Sequence, residues 1–272
     1  MRKQTAIYIN IQVLFLLFFI SNLPAQHVWE RSNPGGGGAI AMVGATADGT
    51  ILAASDLSDV YKTTDNGVSW EVIGAVQGLT ETNINCFGFH PTDGDVFLIG
   101  TGIGAYKTTD GGNTIYKVNI ETDPNLGLGY VESMAMDMTN GNIGYMAHHE
   151  YWVPEVTLLK TTDGGENWNI LTTTGMPTDA RITKFIVDHN NPNLVYALTG
   201  KARYGCSEAN LYKSTNGGLD WSEIASFADI MDVDLHPTNP NIIYVSTFEA
   251  NDCSVPLWQY VGGNQNSGAL YK

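Results

Sequence analysis

Ten residues, Tyr61-Lys62-Thr63-Thr64-Asp65-Asn66-Gly67-Val68-Ser69-Trp70, come back along the chain, and this recurrence limits the fold more than any other feature. The copies are Tyr106-Lys107-Thr108-Thr109-Asp110-Gly111-Gly112, Leu159-Lys160-Thr161-Thr162-Asp163-Gly164-Gly165-Glu166-Asn167-Trp168 and Leu211-Tyr212-Lys213-Ser214-Thr215-Asn216-Gly217-Gly218-Leu219-Asp220-Trp221. A fifth opens at Leu270-Tyr271-Lys272. The shared lysines stand at 62, 107, 160, 213 and 272, in steps of 45, 53, 53 and 59 residues. A fixed period of this size belongs to repeat architectures, in which one small unit buries its apolar faces only against its neighbours.

Each copy places Asp-Gly-Gly or a close variant between two runs of alternating apolar residues. That is hairpin chemistry, with Gly or Asn supplying positive φ. The Ser/Thr two places before the Asp, and the Asp carboxylate itself, can accept the turn's backbone N–H groups. The Trp three places after the second Gly returns on the next strand and covers the turn. Each repeat resolves into four strand-like runs, A to D; the fourth reads 181–188, 194–199, 210–214 and 220–224. The expected fold is all-β, a β-propeller of four-stranded antiparallel blades with about five blades present. The run 27–31, His-Val-Trp-Glu-Arg, reads as a lone D strand, and the fifth repeat stops within strand C. We therefore expect a fragment of a ring of six to eight blades, with a closed five-blade ring as the alternative.

Ser/Thr-x-Asp-x-Gly-x-x-Trp resembles the Asp-box, or BNR repeat, of sialidase-type propellers. Copies one and three match fully, copy two has Ile115 for the Trp, and copy four has Asn216 for the Asp. Their recurrence assigns Asp65, Asp110, Asp163 and Asn216 a structural role, one turn per blade, rather than catalysis or calcium binding. In the resembled families these boxes lie on the face opposite the active site. His90, His189 and His236 recur at equivalent places in Pro- and Asn-rich A–B turns and are expected to be turn residues, with no metal site.

Arg2 and Lys3 precede an apolar run near 11–20, and Leu23-Pro24-Ala25 offers a cleavage point, so residues 1–25 are expected to be a signal peptide. The domain is then 26–272, and the protein is exported: secreted, extracellular or periplasmic. Without residues 1–25 the chain keeps 11 basic against 28 acidic residues, a net charge of −17. Such a surface repels nucleic acid and anionic membranes, and the apolar run is too short to favour membrane insertion. A neutral polysaccharide or oligosaccharide, or a basic partner, remains compatible. Cys86 sits in an apolar alternating run and reads as a small buried hydrophobe. Cys206 and Cys253 fall in corresponding loops of neighbouring repeats and are expected to pair as a disulfide, two free thiols being the alternative.

The repeats differ mainly in their B–C loops, where function is expected. The third contains His148-His149-Glu150-Tyr151-Trp152, the fifth Trp258 and Tyr260; Tyr151, Trp152, Trp258 and Tyr260 are the expected sugar platforms, beside carboxylates. The chain's opening, Trp29, then Gly35-Gly36-Gly37-Gly38, a strand, and Asp56-Leu57-Ser58-Asp59-Val60-Tyr61, is similar to the N-terminal propeller of glycoside hydrolase family 74 xyloglucanases. That resemblance spans residues 29–115 and implies a catalytic role for Asp56 as general base, acting without a cofactor. Ser58-Asp59 replace a Gly-Gly of the family pattern, and the second catalytic carboxylate belongs to a second propeller. An inverting glycosidase needs two carboxyls roughly 6.5–9.5 Å apart, so the chain by itself is expected to be inactive. The rival expectation is a non-catalytic exported propeller, resembling the sortilin type, that binds glycans or proteins. Sialidase activity is disfavoured: a substrate carboxylate calls for an arginine cluster, and beyond the leader only Arg31, Arg181 and Arg203 remain.

Overall fold

The computed structural model describes residues 32, 34–35, 40–55, 58–121, 129–149, 156–177, 181–200, 208–228, 230–239, 241–248 and 268–271. Of the unit Met1–Asn33 only Ser32 is among them; every strand lies in Pro34–Lys272. Sheet 1 is β1 (Ile40–Ala45), β2 (Ile51–Ser55), β3 (Val60–Thr63) and β4 (Glu71–Ile73). Sheet 2 is β5 (Ile84–Phe89), β6 (Phe97–Thr101), β7 (Gly104–Thr108) and β8 (Tyr116–Lys117). The short β9 (Asn119–Ile120) leads to sheet 3, made of β10 (Tyr130–Met136), β11 (Gly144–His149), β12 (Val156–Thr161) and β13 (Asn167–Ile170). Sheet 4 is β14 (Ile182–Val187), β15 (Val195–Thr199), β16 (Glu208–Ser214) and β17 (Ser222–Ala228). Sheet 5 shows β18 (Ile230–Leu235), β19 (Ile243–Phe248) and β20 (Gly268–Tyr271). Within each sheet, consecutive strands pair antiparallel in chain order.

The sheets meet along their first strands. β5 packs on β1 and β10, β10 on β14, and β14 on β18, so the first strand of every repeat is the inner one. Between neighbouring sheets lie four apolar layers. One joins Leu52 and Val60 to Phe97 and Ile99, the next Leu98 to Val131 and Met146. A third joins Tyr145 and Leu158 to Phe185 and Val195, the last Tyr196 and Leu211 to Val233 and Val245. Middle strands are thus covered on both faces, and β6, β7 and β15 are buried at every position. Burying such apolar area stabilises by about 25 cal/mol per Å² removed from water, and no sheet could gain it alone.

The four turns between third and fourth strands share one geometry. In each, the first Ser/Thr hydroxyl donates to the Asp or Asn oxygen two places on, at 2.7 Å for Thr63–Asp65, 2.8 Å for Thr108–Asp110 and Thr161–Asp163, and 3.0 Å for Ser214–Asn216. The same hydroxyl accepts the N–H of Gly67, Gly112, Gly165 or Gly218 at 2.9 Å. Asp65, Asp110, Asp163 and Asn216 then accept the N–H of residue 69, 114, 167 or 220 at 2.8–3.0 Å. Two successive residues take positive φ, Asn66 (60°) and Gly67 (85°) in the first turn and Gly-Gly in the others. Trp168 and Trp221 are buried and donate Nε1–H to the carbonyls of Gly165 and Gly218; in sheet 2 the buried Ile115 fills that place.

These turns sit beside the hairpins joining first and second strands. Gly111, Gly164 and Gly217 donate their N–H to the carbonyls of Asp95, Asn142 and Asn193, each at 2.9 Å. Loops between second and third strands therefore leave from the opposite end. The recurring lysines tie neighbouring sheets together at the turn end: Lys62 reaches Gly111 O at 3.1 Å, Lys107 reaches Glu166 at 2.7 Å, and Lys160 reaches Gly217 O at 3.2 Å.

Two differences from the sequence expectation stand out. His189 is not equivalent to His90 and His236. The backbone N–H groups that close these hairpins belong to His90, Asp137, Asp188 and His236, which places Asp188 in that role and His189 one residue beyond it. His90 and His236 accept N–H groups at Nδ1 (3.1–3.4 Å), while Asp137 and Asp188 do so with a carboxylate. Imidazole nitrogen and carboxylate oxygen satisfy the same donors, which hid the register. The second difference is β9, an added parallel strand on the outer edge of sheet 3, where Asn119 and Glu121 donate to Glu166 O and Trp168 O. Thr174 makes the same kind of contact with Leu219 and Trp221 of sheet 4. Covering an outer strand this way removes an edge that would otherwise template pairing with other chains.

Candidate functional site

Every inner strand carries an irregularity near its start, at the second residue in four of them and at the third in β10. The ladder skips Ala41, Asn85, Glu132, Thr183 and Met231, each within two places of where its strand begins at the loop end. A bulge bends its strand and re-aims the extra side chain, and bulges collect at rims and next to sites. Five equivalent bulges make a rim that is regular in backbone and varied in side chain.

On this rim sheets 2, 3 and 4 bring five polar groups together. Glu132 Oε2 lies 2.9 Å from His149 Nε2, at the end of β11, and is bound by Arg181 Nη2 from just before β14. Arg181 Nη2 is 3.3 Å from the same imidazole nitrogen. That nitrogen serves Glu132 when it carries the proton, so the two donors converge on one carboxylate oxygen. The Tyr130 ring lies 5.0 Å from the His149 ring, and its hydroxyl donates to Asn85 Oδ1 at 2.6 Å. Burial by itself would raise the Glu132 carboxyl. The hydrogen bond from His149 and the charge of Arg181 outweigh it and hold the carboxyl below its ordinary range. Glu132 is therefore an anion at neutral pH and not a proton donor. Beneath it burial pushes the Cys86 thiol up, and Glu132 adds to that, so Cys86 is an inert hydrophobe.

Beside this cluster runs a groove of about 210 Å³ with a mixed lining, Val156, Leu158, Ile170 and Ile182 together with Thr157 and Thr173. Val156 pairs with His149 and Ile182 follows Arg181, so groove and polar cluster adjoin. Among the described residues no group of three or more His, Cys, Asp or Glu could hold a metal ion.

Asp56, Tyr151, Trp152, Trp258, Tyr260, Cys206 and Cys253 all lie outside the described residues. What the structure gives of the Asp56 segment is its flank. Ser58 Oγ is 3.0 Å from Tyr61 OH, and the Asp59 carboxylate lies against Gly74, where a Cβ would come within 2.8 Å. Asp65, Asp110, Asp163 and Asn216 stand together at the turn end with their oxygens engaged. The sequence reading named His149 and Arg181 without joining them, and missed Asn85, Tyr130 and Glu132. One trace was there: Asn85 and Glu132 each interrupt an apolar run near the start of an inner strand.

No family model matches the chain, and no curated protein matches it. Solved structures do. An ancestral GH74 enzyme superposes with a TM-score of 0.64 at 27% identity, over 85% of this chain and 30% of that one. The fold is a β-propeller. The propeller of this chain also resembles the Niastella koreensis GH74 enzyme, with a TM-score of 0.60 at 18% identity over 83% of this chain and 35% of that one. YCF48 bound to D1 peptide follows at 0.50 and 16%, over 78% and 62%. The chain thus spans about a third of the length of these two GH74 enzymes, and its propeller is of the glycoside-hydrolase-like kind.

Proposed function

We propose that the protein is an exported propeller that engages neutral β-glucan polysaccharide of the xyloglucan type at its loop end, while Asp-box turns brace the opposite end. The observation that carries this reading is the likeness to the ancestral GH74 enzyme over 85% of the chain at 27% identity. The segregation of the molecule agrees with it: recurring, satisfied turns at one end, varied polar groups beside a groove of mixed lining at the other. In the catalytic form of the proposal, Asp56 is the general base that activates water against the anomeric carbon. Tyr151, Trp152, Trp258 and Tyr260 offer sugar-stacking faces, and a second propeller supplies the acid. Hydrolysis of xyloglucan by the full-length protein and by Asp56→Ala tests it: reducing-sugar release should fall by about 10³-fold or more, and equal release from both removes Asp56 from the mechanism.

A second reading is a binding propeller without chemistry. It is favoured by the ionised state of Glu132, the buried carboxylate of the rim, which is committed to Arg181 and His149 and cannot give a proton. YCF48, which resembles this chain in fold, is a propeller captured with a peptide. Saturable binding of xyloglucan without any product would establish this form.

A further inference from the structure

Two hydrogen-bond donors stand out on the rim. Asn85 Nδ2 and Arg181 Nε are buried, and among the described residues neither has a partner. Buried polar atoms without partners are rare in folded proteins, and each calls for a group that completes it. The two lie at opposite ends of one connected line: Asn85 to Tyr130, Tyr130 against His149, His149 to Glu132, Glu132 to Arg181. Asn85 and Glu132 are bulge residues, so the backbone irregularity that the ladder does not need is what brings them onto this line. Both orphans are donors, which fixes the complementary chemistry as acceptor oxygen.

Charge then selects among acceptors. The Arg181 guanidinium is already balanced by the Glu132 carboxylate, and Asn85 and Tyr130 add none. A second carboxylate brought here would meet Glu132, whose charge already offsets that of Arg181, in a chain of net charge −15. A hydroxyl or ring oxygen carries no such penalty, and the adjoining groove, with aliphatic side chains beside Thr157 and Thr173, suits both the C–H face and the hydroxyls of a pyranose.

Resting on the glycan-binding reading of this end, we propose that Asn85, Tyr130, Glu132, His149 and Arg181 form a sugar subsite selective for neutral over uronate-bearing glycans. Asn85 and Arg181 bind the sugar oxygens. Glu132 is the selecting residue, because it cancels the charge that would otherwise admit a carboxylate. His149 positions Glu132.

Titration calorimetry on the full chain tests this with cellotetraose and with its C6-oxidised tetraglucuronate. The wild type should bind cellotetraose at least about tenfold more tightly than the uronate, as expected when one ligand strands an uncompensated charge. Asn85→Ala and Arg181→Lys should each weaken cellotetraose by about five- to tenfold, the loss of one hydrogen bond. Arg181→Lys keeps the charge that balances Glu132 and removes the guanidinium fork, Nε–H included. Glu132→Gln should shift preference toward the uronate by about tenfold. On the wild type itself, the Arg181 Nε–H resonance, one of four arginine signals in the chain, should move on adding cellotetraose, a readout that needs no variant beyond assignment. If cellotetraose binds yet both variants hold wild-type affinity and that resonance stays still, the subsite is wrong and the glycan face survives. Equal wild-type affinity for the two tetramers removes the selectivity. No binding of either overturns the glycan reading of the face, and the subsite with it.

Discussion

The two ends of the sheets are built on opposite rules. At the turn end, four turns separated by 45–53 residues repeat the same hydroxyl, carboxylate or amide, and positive-φ pair, with distances agreeing to within 0.3 Å. At the loop end the backbone repeats just as faithfully, one bulge per inner strand, yet the bulged residues are Ala41, Asn85, Glu132, Thr183 and Met231. Where side chain and backbone repeat together, the role is to hold the repeat. Where the backbone repeats and the side chain does not, the position is free to take on a site. Substitutions at the turn end should therefore move stability and spare ligand binding, and substitutions at the loop end should do the reverse.

The largest effect falls on Trp168. It is buried to 1% exposure, closes the turn through Gly165 O, and packs with Leu98, Met134 and Leu159 between sheets 2 and 3. Trp168→Ala should cost about 3–5 kcal/mol, read as a lowered midpoint in urea unfolding. Trp168→Phe, which keeps most of the apolar contact, should recover most of that loss, whereas a hydrogen-bond-dominated turn would lose nearly as much. Thr161→Val comes next. Its hydroxyl accepts from Gly165 and donates to Asp163, and both bonds vanish inside a buried turn, costing about 1–3 kcal/mol. If either variant changes cellotetraose affinity by more than it changes stability, the division between the ends fails.

A pH effect separates the same ends. Hydrogen bonds from the Ser69 hydroxyl and N–H, and from Thr63, pull the Asp65 carboxyl from 3.8 down to about 2. The Thr114 hydroxyl and N–H lower Asp110; at Asp163 burial, the largest single influence, raises the carboxyl, but the bonds from Asn167 and Thr161 together outweigh it. Each carboxyl is more acidic folded than unfolded, so its contribution is complete above the unfolded value near 3.8 and disappears as pH falls through the folded one. Replacing Asp65, Asp110 and Asp163 together by Asn should flatten the fall in stability between pH 3.8 and about 2, measured by denaturant midpoints. An unchanged slope would assign acid sensitivity elsewhere. Asn216, which makes the same contacts, shows that the amide fits the turn.

The turn end was legible in the sequence because every partner in a turn lies within seven residues of the others and recurs. The propeller followed from it, as did the alternation that fills the inter-sheet layers. The loop end was not legible, for two physical reasons. A bulge is a register shift between strands, and no residue type marks it when Ala, Asn, Glu, Thr and Met all occupy it. The cluster also joins residues 85, 130, 132, 149 and 181, whose proximity exists only once three sheets meet at their inner strands. The equivalence of His90, Asp137, Asp188 and His236 was hidden likewise, since different side chains cap one hairpin. Loop length and aromatic content pointed to the end where the inner strands begin, without marking its bulged rim.

The smallest stability change, and the sharpest use of the comparison, is Arg181→Lys. Its guanidinium is partly exposed, at 28%, and pairs with a carboxylate that His149 also serves, so an ammonium can keep the ion pair. Stability should shift by less than about 1 kcal/mol, within the range of partly exposed pairs. Lysine cannot supply the planar fork, so sugar affinity should still fall while Thr161→Val leaves it intact. Measured together, the two variants cross: one loses folding free energy and keeps its ligand, the other keeps its fold and loses the ligand. Parallel losses in both would mean that the ends of this propeller form one coupled unit, and that the variety of the bulge residues has a structural origin instead.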